Sequence, residues 1–399
     1  MFLSLTFRAT WLVSVVCITI SVPAQDAIDG PNEPGPTAAQ LELVKQLGDD
    51  SYFKREAAGE KLASQGLAAK AVLTEALKDP DVEISLRAHR ILTRVLRDVF
   101  AARLAAFVDV VDGNERHDLP GWKRFRDLVG DRRDSRTMFA QMTRTEGALL
   151  AAHEQQLPDT PGLFVARVAG LQALAAHPQT NARVAPETVA TLLLIGSDKT
   201  AKEHSQGLSQ LYVLLKQSAA MPSIGPTESP AIMRILLEEW ATSAASRGLN
   251  YGMLLALKYD LKEMALKQAA DHIGRKTGSS SSLQYAIIAV GRFGGEKHIP
   301  LLMPLLENKT VCSRWGNQAL KKKGTINVEV RDVALVVLLL LNSKDPANYG
   351  FKLLQENAET LYHSYTFGFI DDDEREAAHS KWAAEWAVES ANAATTSRG

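Results

Sequence analysis

The residues able to do chemistry are few and scattered. The chain of 399 residues holds nine histidines and two cysteines. A helical metal site asks for two imidazoles four positions apart, so that both leave one face. No two histidines here have that spacing, and neither an HExxH nor a CxxC motif occurs. His153-Glu154 is the one His-Glu dipeptide. A metal site could only be assembled from residues distant in sequence. The acidic run "IDDDERE", Ile370 to Glu376, has the carboxylates a hard cation wants but not the alternating spacing of a calcium loop. Its second reading is a cap, with Asp371 to Asp373 complementing the dipole of the helix that follows. No G-x-S-x-G elbow is present. "GSSSS" (278–282) reads as a linker capping a helix, and the glycines of "GRFGGEK" (291–297) as a helix end. No catalytic, metal or cofactor-binding residue is assigned, and no cofactor is expected.

One patch could bind. "GWKRFRDLVGDRRDSR" (121–136) carries six cations with Trp122 and Phe125 between them. Arginine forks match carboxylate and phosphate geometry. Trp122, Arg124, Arg126, Arg133 and Arg136 are therefore the candidate partner-binding residues. The alternative is that Asp127, Asp131 and Asp134 pair with these arginines on a solvated face.

Whatever these residues do, helices must position them. Hydrophobic residues make up 46% and charged residues 23%, ordinary for a globular chain. Lys and Arg number 45 against 46 Asp and Glu, a formal charge of −1, which argues against a chain-wide nucleic-acid footprint. Leu and Ala dominate, and no run with clean two-residue alternation stands out, so the expected class is all-α. Residues 1–24 have one cation, Arg8, an apolar stretch from Ala9 to Val22, and Val22-Pro23-Ala24 at its end. That is the layout of a secretory signal peptide cut after Ala24. Retention as an anchor, or lipidation at Cys17, are alternatives. Export to the periplasm or the extracellular space is expected. Cys312 is then the one remaining cysteine, and a buried, inert thiol is expected of it.

Residues 25–36 read as a disordered leader. Thr37 is an N-cap signal for the first helix. Phe53, Ala57 and Leu62 suggest one inward face. Ala69, Val72, Leu73 and Leu77 suggest a second, and Val82, Leu86, Ile91 and Leu92 a third. Ala58-to-Leu62 recurs as Ala88-to-Leu92, thirty residues on. Short helices repeating at such a period mark an α-solenoid. Val333 to Leu341 are nine apolar residues without a break, preceded by Arg331-Asp332. In a helix they span only about 14 Å, too short for a membrane, so a helix sandwiched between neighbours is expected. Trp382 and Trp386, four apart, are placed on one docking face.

Three stretches resemble HEAT-like (armadillo-like) repeats: "FKREAAGEKL…ALKDPDVEISLRAHRIL", "LQYAIIAVGRFGGEKHIPLLMPLLEN" and "VEVRDVAL". The blocks 118–142, 331–351 and 365–386 are similar to a family of exported bacterial HEAT-like proteins of uncharacterised role. The resemblance implies a right-handed superhelix of antiparallel helix pairs. Hydroxylases of this class bind iron through several His-Glu pairs, and His153-Glu154 alone cannot build such a site. The expected organisation is a signal peptide (1–24), the leader (25–36), N-terminal repeats (37–112), divergent helical repeats (113–275), C-terminal repeats (276–351), a capping segment (352–387) and a disordered tail (388–399). The expected function is a non-catalytic exported scaffold holding a protein or peptide partner. The alternatives are a metal-dependent hydrolase with a dispersed site and an envelope-associated structural protein. No nucleic acid partner and no transmembrane span in the mature chain are expected.

Overall fold

The computed structural model describes residues 35–109, 119–176, 184–199, 205–216, 231–246, 251–275, 279–316 and 325–396. The segment expected to be a signal peptide, with Cys17, and nearly all of the expected leader lie outside them. The described chain is mostly helical, with sixteen α-helices and four short strands. It divides into two compact units, Met1–Asp109 and Val110–Gly399.

The first unit holds α1 (Ala38–Gln46), α2 (Tyr52–Ser64), α3 (Lys70–Ala76) and α4 (Val82–Asp109). Thr37 starts α1 with a capping box. Its hydroxyl accepts from the Gln40 N–H at 3.2 Å, and Gln40 Oε1 accepts from the Thr37 N–H at 3.0 Å. Gly66, at φ +58°, turns the chain out of α2 in the left-handed region that glycine favours. Ion pairs Arg55–Glu83 at 3.6 Å, Arg87–Glu56 at 2.6 Å and Arg94–Glu60 at 2.7 Å advance together along both helices. Thus α2 and α4 lie side by side and parallel. Ala58 and Ala88, the thirty-residue pair, are both buried, in a core with Leu47, Leu62 and Leu73. The inward faces differ from those the periodicity suggested. Phe53 and Ala57 are exposed, and Ala58 with Leu62 faces the core instead. In the first turns of α4 the buried residues are Ile84 and Ala88; Ile91 and Leu92 pack on that core half-buried, while Val82 and Leu86 stay outside.

The second unit begins with α5 (Trp122–Val129), α6 (Arg133–Glu154), α7 (Thr160–Ala176), α8 (Pro186–Gly196) and α9 (Ser205–Lys216). It continues with α10 (Ala231–Ser246), α11 (Tyr251–Lys258), α12 (Lys262–Arg275), α13 (Ser280–Phe293) and α14 (Ile299–Leu302). Most helices pack on the next but one. The series α6, α8, α10, α12 and α14 forms one row, and α7, α9, α11, α13 and α15 (Val330–Leu341) a second. Helix α15 is the nine-residue apolar run. Val330 to Leu339 are all buried, as a helix enclosed by neighbours must be. Asp332 does more than complement the helix dipole. Fully buried, it accepts from Arg375 Nε at 3.1 Å and from the Glu329 N–H at 2.9 Å. Arg375 belongs to α16 (Asp372–Thr396), whose start Asp371 caps by accepting from the Glu374 N–H at 2.9 Å. Trp382 is buried and stacks on Trp386 at 5.3 Å. Helix α16 runs past 387, so residues 388–396 are helix and not the disordered tail expected there.

Two small hairpins interrupt the helices. Strand β1 (Val311–Gly316) pairs antiparallel with β2 (Thr325–Glu329), and β3 (Glu356–Asn357) with β4 (Leu361–Tyr362). In β2, Ile326 and Val328 face inward and Thr325 and Asn327 outward, a two-residue alternation that does exist in the sequence.

Candidate functional site

Helix α5 carries most of the expected binding patch. Gly121 precedes it at φ +83°, and its N–H donates to Glu154 Oε2 at 3.0 Å. Trp122 packs on Phe139 at 5.2 Å and Phe125 on Phe139 at 5.2 Å, a buried aromatic cluster. Trp122 is only 6% exposed and Arg136 4%. Arg136 holds Asp131 with both arms of its fork, at 2.6 and 3.0 Å. Neither side chain presents surface to a partner as the chain stands. Arg124 reaches across to α8, donating to Ser197 Oγ at 2.8 Å and lying 3.6 Å from Asp198. His153 Nε2 meets the same Asp198 at 3.4 Å. Arg126 and Arg133 point outward, Arg126 lying 3.4 Å from Asp127. The structure thus divides the patch: two residues are interior, one is tied to its own fold, and two face solvent. Among the described residues no group of three or more His, Cys, Asp or Glu stands ready to hold a metal ion. None of their helices is long and apolar enough to cross a membrane.

A different surface appears on the first unit. Phe53 is 83% exposed and Val82 69%, with Tyr52 and Leu86 exposed beside them in sequence. Tyr52 and Phe53 open α2 and meet edge to face at 5.9 Å. Val82 and Leu86 lie one turn apart near the start of α4, which runs parallel to α2. Four large apolar side chains thus stand exposed near the starts of two adjacent helices, and exposed apolar surface is the usual mark of a contact surface. Periodicity assigns three of these four residues to inward faces and does not mark Tyr52, because it gives a face's period but not its phase.

The second unit also contains a polar cleft of about 160 Å³. Helix α9 contributes Tyr212 and Lys216, α11 contributes Lys258, α13 contributes Tyr285, and the β3–β4 hairpin contributes Glu359 and His363. Leu254 and Leu255 supply an apolar wall. The hairpin is clamped to the helices from below. Arg292 donates to Ala358 O and pairs with Asp260 at 2.6 Å, and Lys258 Nζ meets Glu359 at 3.2 Å. Gly291 lets it come close, since a Cβ there would stand 2.8 Å from both Leu361 and Val337. Asn357 shapes the loop: its Oδ1 accepts from the Glu359 N–H at 2.9 Å and the Thr360 N–H at 3.0 Å. Those bonds fix the amide, so its NH₂ group faces His363 Nδ1 at 3.5 Å. Leu361, at φ +61°, holds a left-handed conformation that costs a branched side chain energy. Tyr212 stacks on Tyr251 at 4.4 Å. Burial first, then the nearby Tyr285, Glu359 and Tyr251, push its hydroxyl up to about 12, so it stays a hydrogen-bond donor. Sequence reasoning missed this site because its residues span 212 to 363 with no shared motif.

No protein-family model, no curated protein and no solved structure matches the chain.

Proposed function

We propose that the chain is an exported, non-catalytic HEAT-like α-solenoid that binds a protein or peptide partner. The parallel packing of α2 and α4 at an offset near thirty residues, and the two rows of next-but-one helices in the second unit, support the repeat architecture. The resemblance to exported bacterial HEAT-like proteins and the signal-like segment 1–24 support export. One observation carries the binding reading: Phe53, Tyr52, Val82 and Leu86 stand exposed on two adjacent helices. The occupant is a protein segment that offers apolar side chains. Arg126 and Arg133 form a second, basic contact surface for acidic side chains.

The test begins with native purification from the envelope fraction, with intact mass and identification of a stoichiometric partner. A mature chain beginning at Gln25 is expected. Phe53→Ser with Leu86→Ser is expected to release that partner without lowering the melting temperature, because exposed substitutions change stability by only about 0.5 kcal/mol. Arg126→Glu with Arg133→Glu reads the basic surface separately. A partner held equally by both double variants and by the parent would sink this reading.

A further inference from the structure

We infer that the cleft between α9, α11, α13 and the β3–β4 hairpin is a binding site for a small aliphatic carboxylate. It stands on the second unit alone and does not depend on the apolar face of the first. The charge balance comes first. Two ammonium groups, Lys216 and Lys258, line the cleft against one carboxylate, Glu359. Lys216 is exposed and makes no ion pair among the described residues. Lys258 has one carboxylate partner, at 3.2 Å, and donors to spare. Donor direction comes second. Tyr212 and Tyr285 supply phenolic hydroxyls, with His363 beside them. The lining therefore offers mainly donors, and an oxyanion is the ligand that accepts from several at once.

Size and polarity narrow the class. At about 160 Å³ the cleft is smaller than the roughly 300–1,000 Å³ of drug-sized pockets. Leu254 and Leu255 form an apolar wall beside the cations. A carboxylate on a short aliphatic group satisfies both halves, whereas a fully solvated phosphate would leave the apolar wall unused. The carboxylate can come from a free acid or from the C-terminus of a peptide, and the two sources share this chemistry.

The test uses the purified mature protein and isothermal titration calorimetry. The probes are isobutyrate, isobutyramide, an N-acetylated hexapeptide ending in Ala-Leu as its free acid, its C-terminal amide, and inorganic phosphate. At least one acid is expected to bind with a Kd tighter than about 1 mM, with its amide much weaker. Binding of isobutyrate assigns a free acid. Binding of the acid peptide alone assigns a peptide terminus. Lys216→Gln is expected to weaken the acid by about tenfold or more, the scale of a lost charge-assisted hydrogen bond. Tyr212→Phe is expected to weaken it by about fivefold. Lys216 is a surface residue, and an unchanged melting temperature shows that its variant is folded. Acids and amides binding alike, phosphate competing as well as the acids, no saturable binding, or binding indifferent to both variants would each overturn the assignment.

Discussion

The Cys312 thiol donates to Val328 O at 3.3 Å from the side of β1. Burial, with the nearby Asp332 charge, pushes it up to about 12 from an ordinary 9.0. The phenol of Tyr259, which donates to Leu215 O, is likewise pushed by burial from 10.0 to about 12. Each group therefore keeps its proton in the folded chain at a pH where the unfolded chain has lost it. Between about pH 9 and 12 the unfolded state binds fewer protons, so stability falls as pH rises. Urea midpoints measured from pH 7 to 11 are expected to be flat at first and then to decline. In Cys312→Ala the decline is expected to begin about one pH unit later, because the remaining buried phenols start from 10.0 rather than 9.0. A midpoint that rises above pH 9, or an onset unmoved in the variant, would contradict this account. At this scale the sequence was partly legible. It placed Thr37 as a cap, which follows from local residue type, whereas Cys312, expected to be buried, is half-buried. It could not show that Trp122 and Arg136 turn inward, because that depends on Phe139 and Asp131 being brought to them by the turn after α5.

Elements position the cleft through one close approach. Helix α13 can lie against the β3–β4 hairpin because residue 291 has no side chain. Gly291→Val is expected to push Leu361 and Val337 apart and to cost about 1–3 kcal/mol by overpacking. The displaced hairpin carries Glu359 and His363 with it. Carboxylate binding should therefore fall in this variant by more than the stability change alone explains, as read by calorimetry at a temperature where it remains folded. Full-strength binding would show that the hairpin is not positioned by α13. The helices around it could be read from apolar periodicity and caps. The strands were harder. In β2 the alternation of Ile326 and Val328 with Asn327 and Glu329 is present but spans only five residues before α15 begins at Val330, and β1 has no clean alternation at all. The β3–β4 hairpin has strands of two residues each, too short for any periodicity. Its presence is decided by Arg292, which Asp260 holds, and by Lys258, which meet it only after the helices have packed.

Across the second unit, the last helix is held by charge buried deep in an apolar setting. Asp332 at the head of α15 and Arg375 on α16 are 43 positions apart and meet at 3.1 Å. Arg375 also donates to Asn327 O at 2.9 Å, so one guanidinium ties α15, α16 and β2 together. Arg331 extends the network to Glu329 at 2.6 Å and Glu376 at 2.9 Å. Lys344 binds the far end of α16 through Glu385 at 3.0 Å while lying 5.3 Å from the centre of the Trp382 ring. Such a network adds little net stability when whole, because both charges gave up water to form it. Loss of Arg375 leaves the Asp332 carboxylate buried with only the Glu329 N–H at 2.9 Å and His379 Nε2 at 3.6 Å. Arg375→Ala is therefore expected to cost about 3–5 kcal/mol, and Asp332→Ala less, because Arg375 keeps Asp372 and Asn327 O as partners. The double variant removes both charges and is expected to cost clearly less than the sum of the singles, with coupling on the order of 2–3 kcal/mol. Urea unfolding of the four proteins measures it. Additive costs would mean that the Glu329 N–H, the helix terminus and His379 suffice for Asp332, and that Trp382 with its apolar neighbours is what holds α16 in place.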